Sequence, residues 1–428
     1  MSRAPAAALR GAGRRRFAVM TAYGFACGLP LPLSGFTLRQ WLSEAGISLG
    51  AIGLSAVIGL AYALKFLWAP LFDRALIPPG RRRGWLLIVQ PLLVAAGVML
   101  ALSDPLTRPL ATVAAAASLA FFSASQDIIV DAWRIEIFSP SLQGAALASY
   151  VWGYRLALLI SGALAIKLAD LWGWHGALLA MAGLALIGPL ATLLAPEPEA
   201  AAPDTAEKNV FARLVLAPLR EFLSREGAYT ALLFIALFKL GEALAGVMLA
   251  PFYHALGFNR GAVALANGPI SLAATLAGIS LGGWLVARVG AARALIGTGF
   301  AQMAAMAMYL ALAVSAGAPR VLYATTLTEA FAEGLADAAF LAFLSGLCAR
   351  AYSATQYALL SSLAALPLRT LGGASGYLAA ALGWTWFYAL CMLAALPAML
   401  VMIFLLRRYP GLALASRERR LATAGMDG

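Results

Sequence analysis

Apolar stretches of about twenty residues or more follow one another along almost the whole chain of 428 residues. A transmembrane helix needs about 20 apolar residues, whereas a strand of a transmembrane barrel needs only about 10. Backbone amides inside a bilayer must also be hydrogen bonded within their own segment. We therefore predict an all-α integral membrane protein with about twelve transmembrane helices, numbered here as spans 1 to 12: residues 17–45, 49–70, 84–102, 109–136, 142–168, 174–195, 228–254, 261–287, 291–315, 319–346, 352–380 and 384–406.

The composition and the placement of charge agree with this class. Hydrophobic residues make up 62% of the chain, more than a soluble core of this length could hide. The net charge of +12 could suggest a nucleic-acid partner, but arginines cluster at alternate span junctions, as in cytoplasmic loops. We therefore expect both termini and the loop 196–227 in the cytoplasm. The clusters are Arg14 to Arg16; Arg74 and Arg81 to Arg83; Arg213, Arg220 and Arg225; and Arg407, Arg408, Arg417, Arg419 and Arg420.

Alternatives to a plain multi-span protein find little support in the sequence. Arg14 to Phe17 could open a twin-arginine or other signal peptide, but the apolar stretch is too long and lacks an A-x-A site. The cysteines are expected to be buried in spans, which argues against a disulfide framework, and the two histidines are too far apart for a metal site. We expect no metal, no cofactor and no catalytic residue. These residues are Cys27, Cys348, Cys391, His175 and His254.

The chain is divided by one long polar stretch, and its halves echo each other. We predict a six-helix bundle over 1–195, a cytoplasmic linker over 196–227, a second bundle over 228–408 and a cytoplasmic tail over 409–428. Such a six-plus-six duplication resembles the major facilitator architecture, in which two pseudo-symmetric bundles rock about a midplane site. The echoes are Arg155 and Arg369, each six residues before a Ser-Gly pair; Gly173-Trp174 and Gly383-Trp384; and glycine- and arginine-rich loops after spans 2 and 8.

Ionisable side chains lie inside span 4, where each costs several kcal/mol unless it has a partner or a water-filled cavity. The span holds Gln126, Asp127, Asp131 and Arg134, and the last three share one helical face, which should look into the bundle. Asp131 and Arg134, near the end of the span, are expected to pair and to lock the helix hairpin. For Gln126 and Asp127 we favour a role in substrate binding.

The depths of charged residues in two helix hairpins predict two acid and arginine pairs. Asp127 precedes the turn near Pro140 by 13 residues, and Arg155 follows it by 15. Glu333 precedes the turn near Arg350 by 17 residues, and Arg369 follows it by 19. We therefore expect Asp127 to meet Arg155 and Glu333 to meet Arg369, either as a substrate site or as locks of the two hairpins.

Span 10 carries a stripe of carboxylates, Glu329, Glu333 and Asp337, at i, i+4 and i+8. Burial and mutual repulsion favour the protonated form of such groups, as a proton acceptor requires. We favour Glu333 or Glu329 as the proton site, with Asp337 and Asp127 as further candidates. In span 7, Lys239 either binds substrate or is neutralised by Glu242, three residues on; both interpretations stay open.

Aromatic residues and helix breakers complete the set of candidates. Trp152 and Tyr154, with neighbouring aromatics, could offer flat faces to a sugar, although ordinary helix packing and interfacial belts explain most such residues. Gly28 and Pro30 interrupt span 1, and Pro367 could bend span 11. Interruptions of this kind are tolerated where the backbone lines a cavity, so they suggest gating.

Several motifs follow one another along the spans and their junctions. They are Gly28-Leu29-Pro30; Leu64-Lys65-Phe66-Leu67-Trp68-Ala69-Pro70 with Asp73-Arg74; Gly80-Arg81-Arg82-Arg83-Gly84-Trp85; Ala124-Ser125-Gln126-Asp127-Ile128-Ile129-Val130-Asp131-Ala132 with Arg134-Ile135-Glu136; and Gly153-Tyr154-Arg155 with Ser161-Gly162-Ala163. In these motifs the sequence resembles the AmpG-type muropeptide permeases of the major facilitator superfamily. The resemblance covers the whole N-terminal half and is weaker but collinear in the C-terminal half.

The resemblance implies a proton-driven importer in the bacterial inner membrane. Its cargo would be N-acetylglucosaminyl-1,6-anhydro-N-acetylmuramyl peptides, taken from periplasm to cytoplasm for peptidoglycan recycling, with a link to β-lactamase induction. It places Gln126 and Asp127 in the functional core, and Lys65, Asp73 and Arg74 in gating motifs. Arg155 and Arg369 would suit the carboxylates of such cargo. Carriers of this type act as monomers, with the proton gradient in place of a cofactor.

Two other functions remain open. A carrier for another organic anion such as acetyl-CoA would also want arginines, although the short loops and the Ala-rich, Arg-over-Lys composition look bacterial. A membrane enzyme or a non-transporting sensor would need a nucleophile, a metal cluster or a signalling domain. Neither half of the sequence supplies one.

Overall fold

A computed structural model of the protein describes residues 4–74, 77–138, 143–198, 217–315, 317–348 and 353–410. Within these ranges the secondary structure is helical and contains no strand, which confirms the predicted all-α class. The α-helices are α1 Ala4–Gly28, α2 Pro30–Leu33, α3 Phe36–Glu44, α4 Leu49–Leu54, α5 Leu60–Leu64, α6 Ala69–Arg74, α7 Arg81–Leu102, α8 Pro109–Ile137, α9 Gln143–Leu159, α10 Ala165–Ala185, α11 Ile187–Leu194, α12 Ala217–Leu223, α13 Ala228–Phe238, α14 Leu240–Ala255, α15 Arg260–Leu265, α16 Ser271–Val289, α17 Ala291–Ala313, α18 Pro319–Leu347, α19 Ser353–Arg369, α20 Ser375–Leu393 and α21 Leu396–Arg408.

The helical stretches of the described ranges account for the predicted spans. Nine of them are long and apolar enough to cross a membrane. Two, Ser149–Leu194 and Leu359–Arg408, have 46 and 50 residues, about twice the length that a bilayer needs. Each therefore holds two spans. With the shorter apolar stretch Leu49–Leu64, these helices correspond to all twelve predicted segments.

The Gly-Trp pairs of the two halves adopt the same backbone turn. Gly173 has φ 70° and ψ 173°, and Gly383 has φ 75° and ψ 166°. Both lie in the left-handed region, which glycine reaches at little cost, and both interrupt an otherwise helical stretch. The turn separates span 5 from span 6 in one half and span 11 from span 12 in the other. The sequence repeat is thus also a repeat of backbone conformation.

The chain packs as two compact units. Unit 1 comprises Met1–Ile47 and Val57–Asp204, and unit 2 comprises Ser48–Ala56 and Thr205–Gly428. The short helix α4, at the start of predicted span 2, is part of unit 2 because it packs against α20. In the core of unit 1, Tyr23 meets the edge of Trp133, with ring centroids 5.1 Å apart. In the core of unit 2, Phe238 stacks on Phe340 at 4.7 Å.

Charged residues tie the helix ends of unit 1 together. Glu136, at the end of α8, accepts from Arg81 at 2.9 Å and from Arg82 at 2.5 Å. Glu197 accepts from the backbone N–H groups of Arg82 and Arg83 at 2.9 Å each, and so caps the first turn of α7. Glu197 lies at the start of the predicted linker, most of which falls outside the described residues.

A second set of polar contacts ties helix ends in unit 2. Glu221 on α12 accepts from Arg225 at 2.8 Å and from the Gln356 amide at 2.5 Å. Arg225 also donates to the carbonyl of Leu347, the last residue of α18, at 2.5 Å. The Arg225 hydrogen bonds hold the pKa of Glu221 below its usual range. Phe222 of the same short helix is buried in the core of unit 2.

Candidate functional site

The charged centre of unit 1 is an ion pair between Asp127 and Lys65. Asp127 lies near the middle of α8, and Lys65 begins a 3₁₀ turn, Lys65–Leu67, that follows α5. Their charged atoms are 3.6 Å apart, and the side chains are 15% and 35% exposed, respectively. The other carboxylate oxygen, Oδ1, is buried without a hydrogen-bond partner among the described residues. Asp127 therefore keeps an acceptor that a ligand could use.

The predicted pairing of Asp127 with Arg155 is wrong in this structure. Among the described residues the ion-pair partner of Asp127 is Lys65. On α9, it is Tyr150 and Tyr154 that lie beside Asp127, and Arg155 is one residue further round the helix, about 100° from Tyr154. Arg155 is half-buried next to Tyr154. Equal depth in a hairpin does not determine the direction of a side chain.

Polar and aromatic groups surround the Asp127 carboxylate. The buried Gln126 amide donates to the Cys27 sulfur at 3.6 Å, and Cys27 lies beside Asp127. The rings of Tyr150 and Tyr154 are 5.8 Å apart, at 32°. Unit 1 thus brings together Gln126, Asp127 and Tyr154 as predicted. Tyr150 is one of the neighbouring aromatics that the sequence suggests for a sugar. The structure adds Lys65 as the direct partner of Asp127, and Cys27, for which no binding role was predicted.

Trp152 stands apart from this group. Its side chain is 76% exposed. It lies two residues from both Tyr150 and Tyr154 on α9, so it points about 160° away from each. The structure therefore does not bring Trp152 to the Asp127 centre.

Other predicted residues of unit 1 are placed as follows. Arg134 and Asp131 form the expected ion pair, at 3.3 Å. Span 1 is interrupted where predicted, because α1 ends at Gly28 and α2 begins at Pro30. A Cβ on Gly28 would lie 2.6 Å from the carbonyl oxygen of Tyr154, so only glycine permits this approach of α1 to α9.

Several predicted residues fall partly or wholly outside the described part of the chain. The backbone of Asp73 and Arg74 ends α6, and that of Arg369 ends α19, but their side chains are not described. The predicted pair of Glu333 with Arg369 therefore stays a prediction. Cys27 and Cys391 are buried as expected, whereas Cys348 is partly exposed, because it lies just past the end of α18 rather than within it.

The charged centre of unit 2 is built around Lys239. This residue lies at the break between α13 and α14, within predicted span 7. Its ammonium is 2.5 Å from Glu242 and also contacts Asp337 on α18, while the Gln302 amide on α17 donates to Glu242 at 3.2 Å. Of the two interpretations that the sequence left open, the contacts agree with neutralisation of Lys239 by Glu242, and Asp337 is a second partner from 98 residues away.

The Lys239 centre opens on a cavity of about 240 Å³. One wall is polar and the other is apolar and contributed by α18 and α19. A cavity with few convergent polar groups and a large apolar surface is typical of small-molecule sites. It is lined by Lys239, Glu242, Ala243, Asp337, Phe340, Leu341, Leu344, Ser361, Ala364 and Ala365.

The carboxylates of α18 lie in the electrostatic field of the same lysine. Both Glu329 and Glu333 interact with Lys239 and Glu242 across the helix interface. Lys239 is the cation that the described residues place among four carboxyl groups, those of Glu242, Glu329, Glu333 and Asp337. Among the described side chains, one lysine faces four carboxyl groups, and this part of the centre favours bound protons or a further cationic group.

Comparison with known proteins adds a family and a set of relatives. The family model for the Major Facilitator Superfamily matches residues 16–368. The chain is 40% identical over 392 residues to the "Anhydromuropeptide permease" of Escherichia coli (strain K12), an alignment that covers 91% of this chain and 79% of that protein. It is 33% identical over 390 residues to the "Putative transporter AmpG 4" of Rickettsia felis (strain ATCC VR-1525 / URRWXCal2), covering 89% and 94%.

Solved structures share the fold at much lower sequence identity. A bacterial homologue of the human lysosomal transporter Spinster, in an inward-facing and unoccupied conformation, superposes with a TM-score of 0.73 at 13% identity, covering 95% of this chain and 98% of that one. A D-xylose–proton symporter superposes with a TM-score of 0.68 at 14% identity, covering 90% and 96%. At these identities the likeness concerns the fold alone.

Proposed function

Since the chain belongs to the Major Facilitator Superfamily and is a multi-pass membrane transporter rather than an enzyme, we propose that it imports anhydromuropeptides for peptidoglycan recycling. The observation that carries the proposal is the 40% identity to the E. coli anhydromuropeptide permease over 91% of the chain. The alignment covers 91% of the chain, so it extends across both units.

The local chemistry suits such a cargo. Anhydromuropeptides carry peptide carboxylates, sugar hydroxyls and flat sugar faces, and unit 1 offers the cation Lys65 beside Asp127 with two adjacent tyrosine rings. We propose that this group binds cargo with Gln126 and Arg155, and that Arg369 supplies a second carboxylate ligand. Among the earlier candidates, Lys239 is better explained by its two carboxylate partners, and Trp152 by an exposed, lipid-facing position.

We also propose that transport is driven by protons and needs no cofactor. The four carboxyl groups that the described residues place around Lys239 support this, because like charges close together in a membrane favour the binding of a proton by a group such as Glu333 or Glu329. Asp337 and Asp127 each have a lysine partner, which makes them weaker candidates. Gly28, Pro30, Asp73, Arg74, Asp131 and Arg134 are assigned to gating and helix packing.

The setting of the protein completes the proposal. The arginine clusters at alternate junctions favour cytoplasmic termini, and a muropeptide importer would lie in the bacterial inner membrane. The direction of transport would then be from periplasm to cytoplasm. We propose that the protein acts as a monomer, since each unit contains its own charged centre.

Uptake into proteoliposomes tests the proposal. Purified protein would be reconstituted, and uptake of labelled anhydromuropeptide measured with and without an inward proton gradient. We expect uptake that the gradient stimulates and that excess acetyl-CoA does not inhibit. Uptake that ignores the gradient would contradict proton coupling alone. If folded protein transports acetyl-CoA and no muropeptide, the proposed cargo is wrong. The assignment to the superfamily would not be affected.

A further inference from the structure

Three buried tyrosines surround Glu329 in unit 2. They come from three different helices: Tyr253 from α14, Tyr309 from α17 and Tyr388 from α20. Their exposed fractions are 1%, 2% and 0%. Tyr309 stacks on Tyr388 with ring centroids 4.7 Å apart. The Tyr309 hydroxyl faces the Glu329 carboxyl, and all three phenol groups lie in the field of that carboxyl.

One hydroxyl group of this cluster is buried and unsatisfied. The Tyr388 hydroxyl has no hydrogen-bond partner in the described part of the chain, and its residue is 0% exposed. Thr326, which is 4% exposed, pairs with the Tyr253 hydroxyl. Buried hydroxyl groups are almost always hydrogen bonded, and a polar pocket of several such groups is a typical site for ordered water. Hydroxyls bridged by water form a chain along which a proton can move.

The hydroxyl cluster continues the carboxylate stripe of α18. Thr326, Glu329, Glu333 and Asp337 follow one another at steps of three or four residues, about 4.5–6 Å along the axis. The stripe ends at Lys239 and at the cavity of unit 2. Tyr309 lies one turn before the end of α17, and Thr326 two turns after the start of α18. The cluster therefore occupies the end of the unit that the proposed topology assigns to the periplasm.

We propose that Thr326, Tyr253, Tyr309 and Tyr388 form the entrance of a proton route through unit 2, which passes Glu329 and Glu333 and ends at the Lys239 cavity. The route rests on the proposed proton coupling. The groups that face Glu329 are Lys239 at the α13–α14 break, Glu242 and Tyr253 on α14, Tyr309 on α17, Glu333 and Asp337 on α18, and Tyr388 on α20. The tyrosines are thus positioning and relay residues that do not touch the cargo.

Phenylalanine substitutions separate the relay from the fold. Tyr309→Phe and Tyr388→Phe each remove a hydroxyl and keep the ring and its packing. The matched control is Tyr229→Phe on α13, whose side chain is 72% exposed. Each variant would be reconstituted and tested for gradient-driven uptake of labelled anhydromuropeptide, and for exchange of labelled against unlabelled cargo without a gradient.

We expect Tyr309→Phe and Tyr388→Phe to lower gradient-driven uptake by at least about tenfold, the scale of one lost hydrogen bond in the rate-limiting step. Exchange should stay within about twofold of wild type, which is well below that scale, and Tyr229→Phe should be unchanged in both assays. Unchanged gradient-driven uptake in Tyr309→Phe and Tyr388→Phe would overturn the route, and so would an equal loss of exchange. If wild-type protein exchanges cargo but its uptake ignores the gradient, the proposed proton coupling itself is wrong. If wild-type uptake responds to the gradient and only Tyr309→Phe and Tyr388→Phe lose that response, the coupling stands and the route is supported.

Discussion

In the described part of the chain, the charged centres of the two units differ in the balance between cations and carboxylates. In unit 1, Asp127 faces Lys65 at 3.6 Å, one charge against one. In unit 2, Lys239 contacts Glu242 and Asp337 and lies in the field of Glu329 and Glu333. Both centres come from corresponding halves of a duplicated fold. The two lysines are not equivalent in the repeat, because Lys65 lies in span 2 and Lys239 in span 7, whereas the carboxylates of spans 4 and 10 lie on corresponding helices.

The difference suggests a division of labour between the units. A balanced pair with a free carboxylate oxygen and nearby tyrosine rings is suited to hold polar cargo. A lysine outnumbered by carboxylates is stable only when some of these groups bind protons or another cation. We therefore expect substitutions in unit 1 to act mainly on cargo binding and substitutions in unit 2 on the response to protons.

The largest effect is expected from removal of Lys239. Lys239→Ala would leave Glu242 and Asp337 without their shared cation, and breaking such a buried network costs about 3–5 kcal/mol. Lys65→Ala removes a cation that is 35% exposed, from a single pair, so about 1 kcal/mol is expected. Thermal unfolding in detergent and uptake per amount of membrane protein would measure both.

A triple variant controls for the loss of charge alone. Lys239→Ala combined with Asp337→Asn and Glu242→Gln should recover thermal stability, because it removes the uncompensated carboxylates together with the lysine. Equal destabilisation by Lys239→Ala and Lys65→Ala would contradict the contrast between the units.

Neutralising one carboxylate in each unit should separate coupling from binding. Glu333→Gln removes a proton acceptor from the α18 stripe, and we expect gradient-driven uptake to fall by about 100-fold, the usual contribution of a positioned acid or base. Asp127→Asn should weaken cargo binding and leave the pH response of the remaining uptake intact. The measurement is the pH profile of uptake with cargo concentration varied at each pH. A normal profile for Glu333→Gln would direct attention to Glu329, the neighbouring group one turn away.

A charge swap in unit 1 tests its ion pair. Lys65→Asp and Asp127→Lys should each impair uptake, and the double variant should recover about tenfold over either single change, within the usual range of coupling between contacting residues. The matched control is the double change Asp127→Arg with Arg155→Asp, which joins residues that the structure does not pair. Recovery by the control and not by the lysine swap would restore the hairpin pairing that the sequence predicts.

The sequence predicts the features that depend on local pattern. The length of each apolar run predicts the spans, and the interval between Asp131 and Arg134 predicts their ion pair because both lie on one helix. The Gly-Trp echo predicts a shared turn at Gly173 and Gly383. Each of these signals extends over a few residues and needs no knowledge of how the helices pack.

The local sequence pattern does not predict the long-range contacts of the charged centres. Predicted span 2 reads as one helix, but the structure divides it with 3₁₀ turns at Ser55–Gly59 and Lys65–Leu67, and the second turn places Lys65 toward α8. The break in span 7 at Lys239 lies two residues before Gly241, but an isolated glycine inside a helical pattern does not by itself predict a break. Helix rotation and breaks of this kind are determined by packing between distant segments, which the order of residues along one helix does not encode.

The smallest effects are expected at the helix ends, where the two units can be compared once more. In unit 1, the side chains of the pair Arg82 and Glu136 are 5% and 24% exposed. In unit 2, those of the pair Arg225 and Glu221 are 24% and 38% exposed. We therefore expect Glu136→Gln to lower thermal stability more than Glu221→Gln, which should cost less than about 1 kcal/mol after solvent screening. Thermal unfolding across a range of pH measures both.

The pH dependence of the Glu221 contribution has a definite sign. Arg225 holds the pKa of Glu221 below its ordinary value of 4.5, so the ionised side chain stabilises the folded state. That contribution is complete above about pH 4.5 and is lost as the pH falls through the lower pKa of the native protein. The difference in stability between wild type and Glu221→Gln should thus be constant near neutral pH and shrink in acid. A difference that grows as the pH falls would mean that Glu221 is held in its protonated form, and that Arg225 fastens α12 to the end of α18 without it.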